Sequence, residues 1–335
     1  MPVQLPKTYK AIQFNGLDEP FQLVEKEMPK PRKGQVLVKM AASPINPSDV
    51  SFLEGNYANS KPLPLVPGFE ASGTVVTSGG GLLANYVDGK RVGIAVSSEG
   101  DGAWSEYILA SANSLVPLHK SVSLEQGAMS IVNPLTVYAF LEIAKKHRKT
   151  TLVNTAAASQ VGRMLLRWAD KNGVTVINIV RNLAQVKLLK SLGAEYVLNS
   201  SKEYFMEALE TLCRQLDARL AFDAVAGRLT GQLLDAMPQH SIIYNYGGLS
   251  KNPIMSDSRK YIFEGKSIRG FWLPGWMAQQ NMLRSLLIAN EVQKELTTTF
   301  KSEIQARFPL SQARQALEQY QKNMTGGKVL LVPER

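Results

Sequence analysis

Strand-like and helix-like segments alternate through the middle of the chain, and this alternation limits the possible folds more than any other feature. A strand predicted over Thr151–Thr155 is followed by a helix whose apolar residues recur at i, i+3, i+4 and i+7 between Val161 and Trp168. The helix is expected to stop at Gly173, and the next strand is predicted over Val174–Val180. The pattern continues to a sixth strand over Ser267–Leu273. Such alternation is typical of a doubly wound parallel sheet with crossover helices, so we predict an α/β fold.

The segments that flank this region have a different character. The first part of the chain shows short strand-like runs separated by many glycines and prolines, which predicts a barrel-like domain of antiparallel strands. After a long helix predicted over Ala278–Leu296, further strands are expected to return to that first domain. We therefore predict that residues 1–123 and 274–335 form one β-rich domain, and that residues 124–273 form a nucleotide-binding domain inserted between them.

Composition argues against several classes of site. Cys213 is the only cysteine, so neither an internal disulfide nor a cysteine-rich zinc site is possible. The histidines His119, His147 and His240 have no metal-ligand spacing, and we predict no metal. No apolar run approaches the roughly 20 residues that a bilayer span requires, which predicts no membrane segment. We accordingly expect a cytoplasmic protein, with the mitochondrial matrix as the alternative if a transit peptide was removed.

The net charge of +10, from 38 Lys and Arg against 28 Asp and Glu, permits binding of anions such as nucleotides, acyl thioesters or nucleic acids. The basic residues are scattered and form no stripe interleaved with aromatic residues, so nucleic-acid binding is not favoured. A solvated surface explains most of the charge.

Two features after the predicted strands point to a dinucleotide. Ala157, Ser159 and Gly162 stand at the three positions of a GxGxxG fingerprint, and the first two are small enough for a close approach to a pyrophosphate. The second strand ends in Arg181-Asn182 without the carboxylate that NAD sites place there. A guanidinium at this position can bind a ribose 2′-phosphate. The pattern therefore predicts a Rossmann-type sheet that binds NADPH, with an ordinary surface arginine as the alternative explanation of Arg181.

These features belong to a set of ordered segments that resembles the medium-chain dehydrogenase/reductase superfamily over essentially the whole chain. The resemblance is greatest to the zinc-free 2-enoyl thioester reductases, followed by the quinone oxidoreductases, and it implies a GroES-like catalytic domain around the Rossmann domain. Asn46 and Phe69 stand where zinc-dependent members have a cysteine and a histidine ligand. The segments that carry the resemblance are Ser43–Asp49, Gly55–Tyr57, Pro67–Glu70, Val132–Thr136, Ala158–Gly162, Tyr246–Lys251 and Arg269–Leu273.

The resemblance also implies the catalytic residues. Tyr57 matches a tyrosine that acts as proton donor in enoyl reductases, and a neutral phenol can donate to the enolate-like charge that develops during reduction of an activated alkene. The alternative role for Tyr57 is an aromatic lid on the nicotinamide, with water or the cofactor ribose giving the proton. Asn133 would contact the nicotinamide ribose or position Tyr57, and Asn46 would lie in the same site.

The cofactor-binding residues implied by the resemblance come from several turns. Gln160 departs from the glycine of many relatives, and Trp272 has core packing as an alternative role. Lys328 is matched to a lysine near the cofactor phosphates. The implied set is Asn133, Ala158, Ser159, Gln160, Val161, Arg181, Tyr246, Gly247, Gly248, Leu249, Phe271, Trp272, Leu273 and Lys328.

The function that follows is a zinc-independent, NADPH-dependent reduction of an activated C=C bond in a 2-enoyl thioester or an enone. The alternative is an NADPH:quinone oxidoreductase, which need not use a tyrosine as an acid. A cofactor-binding regulatory or RNA-binding protein is the third hypothesis. A homodimer formed through the edge strand near Ser267–Leu273 is expected by resemblance.

Overall fold

The computed structural model describes residues 5–57, 62–96 and 100–334. Within them the chain divides into two compact units, Met1–Pro134 with Ala289–Arg335 and Leu135–Ile288. Each unit has its own sheet, and the second unit is an insertion in the first.

The strands, in chain order, are β1 (Thr8–Gln13), β2 (Gln22–Glu27), β3 (Gln35–Pro44), β4 (Glu70–Ser78), β5 (Arg91–Ala95), β6 (Tyr107–Ser111), β7 (Leu115–Pro117), β8 (Thr151–Asn154), β9 (Thr175–Val180), β10 (Tyr196–Asn199), β11 (Leu220–Asp223), β12 (Ile242–Asn245), β13 (Ser267–Gly270), β14 (Ile304–Pro309) and β15 (Lys328–Val332). The helices are α1 (Pro47–Leu53), α2 (Leu82–Val87), α3 (Leu124–Gly127), α4 (Val132–Lys146), α5 (Gln160–Lys171), α6 (Leu183–Ser191), α7 (Phe205–Gln215), α8 (Gly227–Ala236), α9 (Arg259–Ile262), α10 (Leu273–Met277), α11 (Met282–Glu295) and α12 (Ala313–Lys322).

The inserted unit contains a parallel sheet in the order β10-β9-β8-β11-β12-β13. Numbered within the unit, this order is 3-2-1-4-5-6, which is the arrangement of dinucleotide-binding sheets. The predicted α/β class with a doubly wound sheet inserted in a β-rich domain is therefore confirmed. The sixth strand is shorter than predicted, because the chain leaves the sheet after Gly270 and begins α10 at Leu273.

Local sequence explains how α5 is placed against this sheet. The Ser159 side chain accepts a hydrogen bond from the Gly162 amide and so caps the helix at the position where polar side chains favour helix initiation. The apolar face carries the buried Met164 and Leu165. The helix ends at Lys171 and Gly173 adopts a left-handed conformation with φ of 66°, as expected for the predicted stop.

The first unit contains a two-stranded β1–β2 ribbon and a larger sheet in the order β14-β15-β3-β4-β5-β7, with β6 also paired to β3. Its strands are antiparallel except for the β14–β15 pair. The pairing of β15 with β3 confirms that the end of the chain returns to the first domain. Trp104 and Ile94 are among the fully buried residues of this core.

The predicted domain limits, 1–123 with 274–335 and 124–273, lie earlier in the chain than both junctions between the compact units, and they stay a prediction. Helix α3 lies in the first unit because it packs against β3, β4 and β5. Among the described residues, no helix combines the length and the apolar character needed to cross a bilayer.

Candidate functional site

The turn between β8 and α5 has the close packing that a dinucleotide site needs. Ala156 has a positive φ of 48°, and its carbonyl accepts a hydrogen bond from the Ser159 amide at 2.9 Å. A Cβ atom added to Gly162 would lie 2.2 Å from the carbonyl oxygen of Ala157, so only glycine allows the helix to approach this turn. The turn therefore presents the start of a 12-residue helix at the carboxyl end of the first strand.

The structure brings the four predicted pyrophosphate-binding residues together at the start of α5. Ala158 and Gln160 are buried, while Ser159 and Val161 are half-buried. The long side chain of Gln160 is thus not presented to solvent over the turn. Arg163, which the sequence analysis did not single out, is also buried, and its Nε donates to the Ala158 carbonyl at 2.9 Å.

Arg181 follows β9 and is exposed. Its backbone amide donates to Gln185 Oε1 at 3.0 Å, and Asn182 caps α6 by accepting from the Gln185 amide at 2.9 Å. Within the described parts of the chain, the Arg181 guanidinium makes no hydrogen bond or ion pair. It is available to an anion at the end of the second strand, where a bound adenosine ribose would lie in this type of sheet.

Asp223 is a buried acid that was not predicted from the sequence, and it hydrogen-bonds the turns at the point where the strand order reverses. Asp223 ends β11 and accepts hydrogen bonds from Thr155 Oγ1 at 2.7 Å and Thr230 Oγ1 at 2.6 Å. Its carboxylate also accepts from the amides of Val225 at 2.9 Å and Ala226 at 3.2 Å. Ligands of doubly wound sheets bind outside the carboxyl ends of the strands at this reversal, so Asp223 shapes the expected binding surface. A lone acid that ends an apolar strand was the available signal.

The turn after β12 is held beside the same point. The amides of Tyr246 and Leu249 donate to the carbonyls of Asp223 at 2.9 Å and Ala224 at 3.0 Å. The Tyr246 hydroxyl is buried without a hydrogen-bond partner in the described chain, and burial raises its pKa, with a smaller contribution from Asp223. A Cβ atom on Gly247 would lie 2.9 Å from the Ala224 carbonyl oxygen. By contrast, a Cβ atom on Gly248 would meet nothing within 4 Å, so the turn is open there.

The segment after β13 lies at the neighbouring strand end. The Phe271 amide donates to the Asn245 carbonyl at 2.8 Å, and its ring contacts Phe140 edge-on with centroids 5.1 Å apart. Trp272 is 47% exposed and precedes Leu273, the first residue of α10. This exposure shows that Trp272 is not simply a core residue.

In the first unit, Tyr57 packs against an aromatic pair. Its ring centroid lies 5.1 Å from that of Phe69, which in turn contacts Phe52 edge-on at 5.2 Å. Tyr57 is half-buried, and residues 58–61, which follow it, lie outside the described part of the chain. The packing limits the positions that the phenol can adopt.

Asn133 is the second residue of α4 and is buried. The two amides that precede its own, those of Ile131 and Val132, donate to Glu70 Oε1 at 2.8 and 2.9 Å. A carboxylate at the first turn of a helix satisfies amides that have no partner within the helix and interacts favourably with the helix dipole. Glu70 therefore holds the segment that carries Asn133.

Lys328, which the resemblance places near the cofactor phosphates, is buried in the first unit. It is 3% exposed, and its ammonium donates to Asn46 Oδ1. Burial lowers the pKa of Lys328, while the nearby Glu70 and Asp49 oppose that shift. The ammonium is closed off from solvent among groups of its own unit. The predicted contact of Lys328 with the cofactor phosphates stays a prediction.

Asp49, like Glu70, is a buried acid of the first unit, and it links Asn46 to Phe69. Its carboxylate accepts from the Asn46 amide at 2.7 Å and from the Phe69 amide at 3.0 Å. Burial raises the pKa of Asp49 to about 7, although both amides and Lys328 act in the opposite direction. Glu70 likewise has a raised pKa because of its burial.

Asn46 and Phe69, which stand where zinc-dependent relatives have metal ligands, do not fit zinc. Asn46 is already hydrogen-bonded to Lys328 and Glu70, and Phe69 offers only a phenyl ring. A lysine ammonium beside the site also disfavours a second cation. Across the described ranges, no group of three or more His, Cys, Asp and Glu side chains could hold a metal ion. In the inserted unit, by contrast, two features fit a dinucleotide. The helix start approaches the turn closely at Gly162, and the exposed Arg181 guanidinium has no partner in the described chain.

Two family models match the chain, one in each unit. The alcohol dehydrogenase GroES-like domain matches residues 32–120, and the domain described as zinc-binding dehydrogenase matches residues 161–288. The mitochondrial enoyl-[acyl-carrier-protein] reductase of Rattus norvegicus is 30% identical over 97% of this chain and 89% of its own length. The chain belongs to the medium-chain dehydrogenase/reductase superfamily. It is an oxidoreductase of that superfamily, as predicted.

Solved structures agree with this membership. A candidate NADPH:quinone reductase from Mesorhizobium loti is 32% identical, with a TM-score of 0.91 over 99% of this chain and 100% of its own. A mycobacterial quinone oxidoreductase is 25% identical, with a TM-score of 0.81 over 97% of this chain and 100% of its own. The relatives are therefore named for the two branches that the resemblance indicated. The predicted domains, GroES-like and Rossmann-type, are the two that this superfamily combines.

Proposed function

We propose that this protein is an NADPH-dependent reductase of activated C=C bonds in 2-enoyl thioesters or enones, and that it works without zinc. The observation that carries the proposal is the exposed Arg181 guanidinium at the end of β9, with no protein partner in the described chain and no carboxylate in its place. The names of the relatives, enoyl-[acyl-carrier-protein] reductase and NADPH:quinone reductase, support both the cofactor and the acceptor.

Different groups of the predicted cofactor residues would bind different parts of NADPH. Arg181 would bind the 2′-phosphate through charge-assisted hydrogen bonds. The backbone amides from Ala158 to Val161 would hold the pyrophosphate at the start of α5. Residues Tyr246–Leu249 and Phe271–Leu273 would border the nicotinamide. Lys328 is left out of this set because its ammonium is bonded to Asn46.

Tyr57 and Asn133 would act on the acceptor and the nicotinamide ribose. When bound, NADPH supplies a hydride. The Tyr57 hydroxyl would stabilise the negative charge that develops on the acceptor carbonyl oxygen and would provide the proton that the α-carbon gains. Asn133, held by the first turn of α4, would orient the ribose. The alternative for Tyr57, an aromatic lid, would leave proton donation to water or to the ribose hydroxyl.

A panel of acceptors tests the proposal directly. The panel contains 2-enoyl-CoA thioesters of several lengths, 2-alkenals, cyclic enones and quinones, each with NADPH and with NADH. We expect turnover with NADPH on an enoyl thioester or an enone. Absence of NADPH turnover on every alkene in the panel would refute the proposal, and turnover on quinones alone would favour the quinone oxidoreductase function that the Mesorhizobium loti relative carries in its name.

Replacing Arg181 with alanine tests the cofactor part of the proposal. Arg181→Ala should raise the Kd for NADPH by roughly 10- to 100-fold, the loss of one or two charge-assisted hydrogen bonds, and leave the Kd for NADH unchanged. Arg214→Ala is the matched control, because Arg214 is an exposed arginine of the same unit that pairs with Glu210 on α7. Equal binding of the two dinucleotides by the unmodified protein would contradict the role of Arg181.

We also propose a homodimer and a reducing compartment, either the cytoplasm or the mitochondrial matrix. Strand β13 ends the sheet order, and Ile262 and Phe263 just before it are 69% and 75% exposed, which suits a second copy of the chain. The single cysteine, Cys213, is buried and unpaired, which suits a reducing environment.

A further inference from the structure

A chain of three buried polar side chains runs from β15 to the first turn of α4. Lys328 is 3% exposed, and Asn46 and Glu70 are each 1% exposed. The Lys328 ammonium donates to Asn46 Oδ1, and Asn46 Nδ2 donates to Glu70 Oε2 at 3.2 Å. Glu70 Oε1 then accepts from the amides of Ile131 and Val132. Every link between Lys328 and the helix is therefore a hydrogen bond.

The chemistry at the two ends allows only one orientation of the Asn46 amide. An ammonium can only donate, so it must face the carbonyl oxygen of Asn46. An ionised carboxylate can only accept, so Glu70 must face the amino group. Turning the amide over would place donor against donor at one end and acceptor against acceptor at the other. The series of hydrogen bonds from Lys328 through Asn46 to Glu70 thus has a fixed direction from donor to acceptor.

The three residues start from elements that the first unit holds in place. Lys328 is the first residue of β15 and Glu70 the first residue of β4, and both strands pair with β3. Asn46 precedes α1, and its own amide is bonded to Asp49. The Glu70 carboxylate therefore links the first residue of β4, which is paired with β3, directly to the start of α4.

This arrangement is not an efficient source of stability. Burial of charged groups carries a large desolvation cost, and well-packed apolar residues of similar volume often stabilise a core as well or better. What charged and hydrogen-bonded groups provide, and apolar groups do not, is direction at defined atoms. The defined atoms here are the two amides that immediately precede Asn133.

We propose that Glu70 and Asn46 are positioning residues that act through Asn133. They hold the first turn of α4 so that Asn133 meets the cofactor ribose, and Lys328 fixes the orientation of the Asn46 amide. This inference rests on the proposed function, because Asn133 is a site residue only if the protein binds the dinucleotide as argued above.

Glu70→Gln is the first test, because the glutamine has the same shape. The carboxylate accepts hydrogen bonds at both of its oxygens, whereas glutamine must place its amino group either against Asn46 or against the helix amides. Both orientations bring two donors together. We expect kcat/KM for alkene reduction to fall on the order of 10- to 100-fold, as small displacements of positioning groups do.

Exchanging the hydrogen-bond donor and acceptor between positions 46 and 70 should restore activity. In the double variant Asn46→Asp with Glu70→Gln, the new aspartate accepts from Lys328 and from the glutamine amino group, while the glutamine carbonyl accepts the two helix amides. Every hydrogen bond has a donor and an acceptor again, and the net charge is unchanged. We expect kcat/KM to return to within about 3-fold of the unmodified protein. A double variant as impaired as Glu70→Gln alone would overturn the proposal.

The dependence on Asn133 separates positioning from general stability. In an Asn133→Ala background, adding Glu70→Gln should lower kcat/KM by no more than about 2-fold, because the residue through which Glu70 acts is already absent. Losses that multiply would show that Glu70 acts elsewhere, and full activity of Glu70→Gln would show that it does not act at all. Should Glu70→Gln fail to fold, Glu70→Asp, whose carboxylate is one methylene farther from the amides, takes its place in this cycle.

Glu106→Gln is the matched control. Glu106 also accepts a backbone amide within the first unit, that of Lys10 at 2.8 Å, and its hydrogen bonds within the described ranges join it to Lys10 and Met40, not to α4. It should change neither kcat/KM nor the Kd for NADPH.

The Kd for NADPH, measured by fluorescence titration, keeps this inference separable from the proposed function. If the unmodified protein binds NADPH but reduces no alkene, the proposed acceptor is wrong. The same variants can then be compared by Kd, where Glu70→Gln should weaken binding only when Asn133 is present. If Glu70→Gln weakens binding equally in the Asn133→Ala background, the positioning role is wrong whatever the acceptor.

Discussion

Tyr57 is the residue on which the two candidate activities differ most. Its ring packs against Phe69, so replacing it with phenylalanine keeps the aromatic contact and removes only the hydroxyl. We expect Tyr57→Phe to lower kcat for enoyl or enone reduction by about 10²- to 10⁴-fold, the usual contribution of a positioned general acid, and to leave quinone reduction nearly intact. Steady-state kinetics with both acceptors measures this difference.

Tyr86→Phe is the matched control, because Tyr86 is an exposed tyrosine of the same unit whose ring is contacted by the Lys90 ammonium at 3.2 Å from the centroid. It should retain both activities. If Tyr57→Phe reduces enoyl thioesters as fast as the unmodified protein, Tyr57 is an aromatic lid and the proton comes from water or the ribose.

The raised pKa of Asp49 predicts how stability depends on pH. The pKa of Asp49 is about 7 in the folded protein because of burial, compared with about 3.9 for an unfolded aspartate. Between these values the folded state holds a proton that the unfolded state releases, so the free energy of unfolding falls as the pH rises. The fall is at most about 1.4 kcal/mol per pH unit.

Urea unfolding at pH 5, 6 and 7 isolates this contribution when Asp49→Asn is compared with the unmodified protein. The stability of the unmodified protein relative to the variant should decrease with increasing pH. Glu125→Gln should show no such trend, because the hydrogen bond from Arg307 lowers the pKa of Glu125 and both states are ionised in this range. A constant difference between the unmodified protein and Asp49→Asn would contradict the pKa assigned to Asp49.

Among the elements, α5 depends most on one glycine. A Cβ atom on Gly162 would lie 2.2 Å from the Ala157 carbonyl oxygen and 2.6 Å from its Cα, and backbone atoms cannot move aside cheaply. Gly162→Ala should displace the helix from the turn, lower the free energy of unfolding by about 1–3 kcal/mol and weaken NADPH binding. Thermal unfolding and a fluorescence titration test this. Gly270→Ala, where a Cβ atom meets nothing within 4 Å, should leave the midpoint of unfolding unchanged; an equal shift in both variants would contradict the argument.

The elements were predictable to different degrees. Helix α5 was predicted correctly because its apolar spacing and its terminal Gly173 are both local signals. Strand β13 was predicted too long, since Phe271 and Trp272 are strand-like residues but the chain turns into α10 at Leu273. The helix predicted over Ala278–Leu296 likewise begins later, at Met282. Helix and strand ends depend on neighbours that single-chain patterns do not reveal.

For the whole molecule, the open edge of the six-stranded sheet predicts self-association. Light scattering should give a mass of about twice 36.9 kDa for the unmodified protein. Phe263→Glu places a charge on an exposed apolar residue before β13 and should shift the mass to that of a monomer. Leu82→Glu, at an 89% exposed leucine of α2 in the first unit, should remain a dimer. A monomeric unmodified protein at micromolar concentrations would contradict the homodimer.

The amino-acid sequence alone determined the fold class, because strand–helix alternation is a short-range pattern. The small residues at Ala157, Ser159 and Gly162 are likewise a short-range pattern, and they predict the class of cofactor that we propose. Only the tertiary structure decided the partners of Lys328, which lies 282 positions from Asn46 along the chain. It likewise revealed Asp223 as the residue that joins the turns after two neighbouring strands. Buried polar groups bind whichever donors and acceptors the packed sheet brings to them, and no spacing in the sequence encodes that choice.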